Sequence, residues 1–151
     1  MMNVKKFQGF VYILSFVLIL LAGCNKDLTE ELPKSEYGEI LEQGNYELKL
    51  DKNNYSEKVD QISLEITNNS ASNLNFGLIY YLERYINGSW YQIPFKDDTE
   101  FQTIGIMVKP NESYTQNIST NHLKYDLSPG KYRVVKPISE EITLATEFEI
   151  E

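Results

Sequence analysis

The stretch FGLIYYLERYINGSWYQIPF, residues 76–95, carries the strongest local structural signal in this chain. Within it, Asn87-Gly88 separates two runs that are rich in aromatic and aliphatic residues, and this dipeptide is the strongest short-range signal for a β-hairpin. A two-residue loop fixes the register of the two strands, and it places Tyr85 opposite Trp90. The sequence therefore predicts two antiparallel strands that meet at Asn87-Gly88.

This register sorts the side chains of the hairpin onto two faces, because directly opposed residues share a face. The predicted core face holds Phe76, Leu78, Tyr80, Leu82, Ile93 and Phe95. The other face holds Tyr81, Tyr85 and Trp90 beside the polar Glu83 and Gln92. Outward Tyr and Trp rings suit recognition of proteins or sugars, so Tyr81, Tyr85 and Trp90 are candidate binding residues. The alternative is that these rings only stabilise the strands by cross-strand packing.

The rest of the chain after Gly44 alternates polar and apolar residues with a period of two, which is typical of half-buried strands. The predicted strands lie near 46–50, 62–66, 76–86, 89–95, 101–108, 114–118, 131–136 and 142–150. Turn residues separate them at regular spacing, and no helical pattern is convincing. About seven or eight short strands predict an all-β, antiparallel β-sandwich. Gly105, inside one predicted strand, is interpreted as a bulge or a site of close packing.

A second stretch, Asp126-Leu127-Ser128-Pro129-Gly130-Lys131-Tyr132-Arg133-Val134, enters the penultimate predicted strand. Its Leu127, Pro129, Gly130 and Tyr132 are similar to the tyrosine corner of immunoglobulin-like and fibronectin-like sandwiches. The resemblance implies that the Tyr132 hydroxyl bonds back to the chain upstream and fixes the crossing between sheets. Together with the hairpin, it makes residues 44–151 resemble the immunoglobulin-like domains of Gram-positive lipoproteins. The immunoglobulin cysteine pair is missing, and the fold itself implies almost no chemistry.

The N-terminal residues resemble a targeting signal. Lys5 and Lys6 precede an apolar run, 10–22, that would span ~20 Å as a helix, which is short of the ~30 Å hydrocarbon core of a membrane. The run ends in Leu21-Ala22-Gly23-Cys24, which resembles the lipobox of bacterial lipoproteins. The resemblance implies that Cys24 receives a diacylglycerol and becomes the first residue of a chain anchored on the extracytoplasmic face of the cell membrane. The alternative is an ordinary signal peptide followed by an incidental cysteine.

The predicted organisation is a lipoprotein signal peptide at 1–23, an acidic tether at 24–43 and the immunoglobulin-like sandwich at 44–151. Cys24 is the only cysteine, so the domain cannot form an internal disulfide. The mature chain would carry 12 basic and 22 acidic residues, because only Lys5 and Lys6 among the charged residues precede Cys24. Such a charge is repelled by nucleic acid, which is therefore not an expected partner.

Few residues could carry chemistry. His122 is the only histidine, so a histidine-rich metal site is excluded, and no nucleophile-elbow motif supports a triad around it. Asp97, Asp98 and Glu100 could form a hydrolytic carboxylate pair or bind Ca²⁺ weakly, although a solvated loop is the favoured interpretation. We therefore expect no catalytic residue, no metal and no cofactor.

These patterns predict a non-enzymatic binding or interaction module of the cell envelope, attached to the membrane through the lipid on Cys24. Its expected partner is an envelope protein or glycan. Two alternatives stay open: a small carboxylate-dependent hydrolase or enzyme accessory, and a structural spacer.

Overall fold

The structure is a computed structural model that describes residues 31–39 and 44–151. Its strands are β1 (Tyr46–Leu50), β2 (Asn54–Tyr55), β3 (Gln61–Asn68), β4 (Leu74–Phe76), β5 (Tyr81–Ile86), β6 (Ser89–Ile93), β7 (Ile106–Val108), β8 (Ser113–Ser119), β9 (Gly130–Pro137) and β10 (Thr143–Ile150). A 3-10 turn at Thr120–His122 is the only helical element of these two ranges. No helix in them is long and apolar enough to cross a membrane. The predicted signal peptide and Cys24 lie outside the described residues.

The strands form two main sheets. One has the order β1-β3-β8, and the other has the order β2-β10-β9-β5-β6, while β4 and β7 form a separate pair. All neighbours are antiparallel except β2, which runs parallel to β10. The predicted all-β immunoglobulin-like sandwich is confirmed. The two-residue β2 was missed because it is too short to show an alternating pattern.

The core lies between the two sheets and follows the predicted period of two. In β3 the residues Ile62, Leu64 and Ile66 are fully buried, while their polar neighbours point away from the core. In the five-stranded sheet, the rings of Tyr132 on β9 and Phe148 on β10 lie directly opposite each other and stack with centroids 5.5 Å apart. An alternation that continues over eight residues fixes the register, because a slip of one residue would expose the whole apolar set.

The hairpin has the predicted register. Tyr85 lies opposite Trp90, and the ladder runs to Leu82 opposite Ile93. Asn87 and Gly88 both have positive φ, 49° and 83°, as a two-residue type I′ turn requires.

The long strand predicted over 76–86 is wrong, because β4 ends at Phe76 and β5 begins at Tyr81. Side chains from two other strands donate hydrogen bonds to the backbone carbonyls of residues 77–79, which lie between β4 and β5. Lys136 Nζ donates to the carbonyl oxygens of Gly77 at 2.6 Å and Ile79 at 2.9 Å. Gln116 Nε2 donates to Leu78 O at 2.6 Å. With its carbonyls satisfied in this way, the chain leaves the β4–β7 pair and enters the five-stranded sheet.

The strand predicted over 101–108 is much shorter, because β7 covers only the three residues Ile106–Val108. The Phe101 ring packs instead against Tyr80 and Phe95, with centroids 5.3 Å and 5.1 Å away. Gly105 therefore lies outside any strand, and a Cβ at this position would have no neighbour within 4 Å. The interpretation of Gly105 as a bulge or a site of close packing is wrong.

Lys136 is an internal cation held by neutral groups. Its side chain is fully buried, and its ammonium has a third acceptor in Gln116 Oε1 at 2.9 Å. The Phe76 ring centroid is 5.2 Å from Nζ. Burial lowers the pKa of Lys136 to about 8, so the amine is still largely protonated at neutral pH and can donate three hydrogen bonds.

The stability of the domain is expected to rise as the pH increases above about 8. The Lys136 amine has its ordinary pKa of 10.5 in the unfolded chain and a pKa of about 8 in the folded chain. Between these values the unfolded chain binds more protons than the folded chain, so the free energy of unfolding increases with pH. Lys136→Met should abolish this rise. It should also cost about 2–4 kcal/mol at pH 7, because buried carbonyls lose their donor. Urea unfolding at a series of pH values measures both effects, and an identical pH profile in the variant would contradict the assignment.

Candidate functional site

The outer face of the five-stranded sheet carries the predicted aromatic cluster. The rings of Tyr85 and Trp90 lie 5.0 Å apart between centroids. Lys131 Nζ, from β9, lies 5.5 Å from the Tyr85 ring and 5.6 Å from the Trp90 ring. The same ammonium pairs with Glu147 Oε2 of β10 at 2.7 Å. Four neighbouring strands thus contribute to one patch of two rings, one cation and one carboxylate.

Beside this patch, the sheet bears a buried ion pair. Arg133 Nε donates to Glu83 Oε2 at 2.7 Å, and the two side chains are 3% and 0% exposed. The Arg133 guanidinium lies 4.4 Å from the centroid of the Trp90 ring, which is itself only 6% exposed. The Trp90 ring therefore covers the guanidinium of the ion pair, since a guanidinium stacks favourably on an indole face.

Residues 31–37, here named the N-terminal strap, lie along the free edge of β6. Ser35 N donates to Trp90 O, and Gln92 N donates to Pro33 O, both at 2.9 Å, around an antiparallel bridge between Lys34 and Tyr91. The sequence assigns these residues to the tether, and no alternating pattern marks them as a strand. Leu32, which is 7% exposed, is the only apolar residue that the strap buries.

The side chains of the strap complete the ion pair. Ser35 Oγ donates to Glu83 Oε1 at 2.5 Å and accepts from Arg133 Nη2 at 3.3 Å. Two residues further on, the Tyr37 ring lies 5.5 Å from that of Tyr81. Burial, together with a hydrogen bond to Tyr81, raises the pKa of Tyr37 to about 12. Sequence reasoning missed Ser35, because its partners are almost 50 and 100 residues away.

The three predicted binding residues therefore lie in different surroundings. Tyr85 is 40% exposed, Tyr81 is half-buried beside Tyr37, and Trp90 is buried against Arg133. The structure brings Tyr85 and Trp90 together and pairs Tyr81 with the strap instead. Lys131 and Glu147, which the sequence did not single out, complete the exposed part of the patch.

Tyr132 closes a local hydrogen-bonded corner at the entry to β9. Its hydroxyl donates to Ser128 O at 2.7 Å and accepts from Ser128 N at 3.1 Å. Leu127 and Tyr132 are buried, whereas Pro129 is exposed and its carbonyl accepts from Arg84 Nη2 at 3.0 Å. Gly130 has φ of 151°, and a Cβ there would meet the Arg84 guanidinium at 3.4 Å. These residues hold the corner and present no reactive group.

The carboxylates considered for catalysis lie on the surface. Asp97, Asp98 and Glu100 are exposed in the loop between β6 and β7. His122 is also exposed, and its carbonyl accepts from Lys96 N at 2.8 Å. Within residues 31–39 and 44–151, no group of three or more His, Cys, Asp and Glu side chains is arranged to hold a metal ion.

A polar groove of about 390 Å³ lies near this loop, and its lining includes Asp60, Lys96, Thr120 and Asp126. Lys96 Nζ donates a hydrogen bond to Asn121 O at 2.8 Å. The groove mixes both signs of charge around backbone carbonyls, and it contains no nucleophile paired with a base.

Residues 42–149 match the sequence profile of a family described as the bacterial Ig-like domain. Because the match covers well over half of the chain, the protein belongs to the bacterial Ig-like domain family. Domains of this family are typically non-enzymatic, which makes this chain an interaction or structural module. No curated protein matches the sequence.

Among solved structures, the chain resembles parts of two β-glucosidases. The Erythrobacter marinus enzyme EmGH1 is 12% identical with a TM-score of 0.43, and the match covers 70% of this chain and 15% of that one. The Listeria innocua enzyme in complex with gluconolactone is 17% identical with a TM-score of 0.39, over 76% of this chain and 16% of that one. The chain thus spans less than a fifth of either enzyme. At these scores, the likeness carries no argument about activity.

Proposed function

We propose that this protein is a lipid-anchored interaction module, held on the extracytoplasmic face of the cell membrane and binding an envelope protein or glycan through the patch around Tyr85. The observation that carries the proposal is the Tyr85 ring, which is 40% exposed yet fixed between Trp90 and Lys131. A ring that is already held in place loses little conformational entropy when a partner covers it.

The chemistry around Tyr85 suits a partner with both apolar and polar groups. Lys131 and Glu147 are 43% and 54% exposed, so each keeps part of its charged end in solvent. A sugar presents an apolar ring face with hydroxyls at its edge, and many protein surfaces present a similar mixture. Tyr85 would supply the apolar contact, while the ion pair would supply a donor and an acceptor beside it.

The membrane attachment rests on the N-terminal sequence. Leu21-Ala22-Gly23-Cys24 follows an apolar run and two lysines, as in a lipoprotein signal peptide. Two acyl chains on Cys24 would hold the domain firmly, since each buried CH₂ contributes ~0.8 kcal/mol to membrane binding. The excess of acidic residues keeps the domain itself from adhering to anionic headgroups.

The binding proposal is tested by Tyr85→Ala in the full chain. Capture of isolated envelope glycan and of solubilised envelope proteins should fall about tenfold or more, because truncation of an anchoring aromatic residue often costs more than ~1–2 kcal/mol of binding energy. Met107→Ala is the matched control, since Met107 is 57% exposed on β7, outside this sheet. Equal capture by the wild type and both variants would favour a structural spacer.

The anchoring proposal is tested by Cys24→Ser. The wild-type chain is expected to incorporate radioactive palmitate and to fractionate with the cell membrane, whereas the variant should lose the label and leave the membrane fraction. Met107→Ala, an exposed substitution that leaves Cys24 intact, serves as the control for expression. Retention of the label by Cys24→Ser would contradict lipidation at this residue.

A further inference from the structure

The N-terminal strap divides the predicted tether into two parts. The sequence predicts a tether over 24–43 that ends where the sandwich begins. In the structure, residues 31–37 are already bound along β6 and to the buried ion pair. Only residues 25–30 therefore lie between Cys24 and the folded part of the chain.

The strap is held on the sheet by contacts of several kinds. Two backbone hydrogen bonds of 2.9 Å join it to β6, and Leu32 is buried with 7% exposure. The Ser35 hydroxyl bonds both members of the ion pair, and the Tyr37 ring packs on Tyr81. Release of the strap would remove hydrogen bonds from two buried charges, which is costly. We therefore expect the strap to stay bound while the domain is folded.

The bound strap limits how far the patch around Tyr85 can lie from Cys24. An extended chain spans at most ~3.6 Å per residue, so the chain from Cys24 to Ser35 covers at most ~40 Å in any conformation. Ser35 is bonded to Trp90 of β6, which pairs with Tyr85 of β5. Two strand spacings of ~4.8 Å then place Tyr85 within ~50 Å of Cys24. Without the strap, the chain from Cys24 to Gly44 alone could extend ~70 Å.

We propose, on the basis of the lipid anchor in the proposed function, that the strap makes this protein a membrane-proximal module whose Tyr85 patch contacts a protein of the same membrane. The strap attaches the domain at the edge of β6, two strands from Tyr85, and so keeps the patch close to the membrane surface. Of the two partner classes proposed above, a protein of the same membrane lies within this reach, whereas a glycan polymer can extend beyond it. Attachment to one membrane also raises the effective concentration of the two partners.

Two insertions of equal length, one on each side of the strap, test where the domain is attached. A flexible Gly-Ser segment of ~20 residues is placed between Leu28 and Thr29 in one full-length variant and between Leu41 and Glu42 in the other. Each lipidated chain is reconstituted in vesicles with a fluorescent donor on Glu149→Cys, and energy transfer to acceptor lipids measures the height of the domain. The first insertion should about double the mean reach of the tether and lower the transfer, because reach grows with the square root of length. The second should leave the transfer unchanged.

The outcomes separate the strap from the anchor. An equal fall in transfer for the two insertions would overturn the proposal, because the strap would then not be the point of attachment. Ser35→Pro is the positive control, since it removes the amide that bonds Trp90 O and should make the second insertion lower the transfer as well. A chain that leaves the vesicles, or whose Cys24 reacts with the thiol-specific dye, would instead contradict the lipid anchor itself.

The partner is tested with a photoreactive residue in place of Glu149, which is exposed on β10 beside the patch. Irradiation of intact cells should link the chain to a protein that stays with the membrane, and removal of the cell wall should leave the yield unchanged. Tyr85→Ala should lower the yield about tenfold. A product that is a glycan, or that is lost with the wall, would overturn the inference while leaving the binding role of the patch intact. A yield that does not depend on Tyr85 would contradict that binding role.

Discussion

The buried ion pair between Glu83 and Arg133 is the interaction on which the packing of the strap and of Trp90 against the five-stranded sheet depends. Removing a carboxylate and a guanidinium from water is costly, and their attraction offsets that cost only when the remaining donors and acceptors are also bonded. Here Ser35 bonds both partners, and the Trp90 ring covers the guanidinium. Loss of one partner would leave an isolated buried charge, which typically costs about 3–5 kcal/mol. The pair therefore requires both the strap and β6 to be in place.

This requirement explains why the two sheets present different surfaces. On the five-stranded sheet, the strap covers the ion pair, closes the edge of β6 and shields Tyr81, so Tyr85 is left as the exposed ring. The three-stranded sheet has no such covering in the described part of the chain. Its outer face is polar. The side of the sandwich that the strap covers is thus the one specialised by side-chain chemistry.

The sequence predicts those parts of the fold whose signals are local. The Asn87-Gly88 turn sets the hairpin register, and the alternation of Ile62, Leu64 and Ile66 sets that of β3. The break between β4 and β5 could not be predicted, because it depends on Lys136, which lies almost 60 residues away and is charged yet fully buried. Within the candidate site, the contact between Tyr85 and Trp90 follows from the hairpin register alone. The burial of Trp90 does not, since it depends on Arg133 and on the strap, whose two backbone bonds leave no periodic trace in the sequence.

Amide hydrogen exchange on the full chain measures whether the strap is part of the folded domain. The amide protons of Ser35 and Gln92 are the two that join the strap to β6. Both should exchange as slowly as the β5 and β6 amides that form the hairpin ladder, since they would open only when the sheet opens. Exchange of the Ser35 amide at the rate of an unstructured peptide, while the hairpin ladder stays protected, would show that the strap is not part of the folded domain.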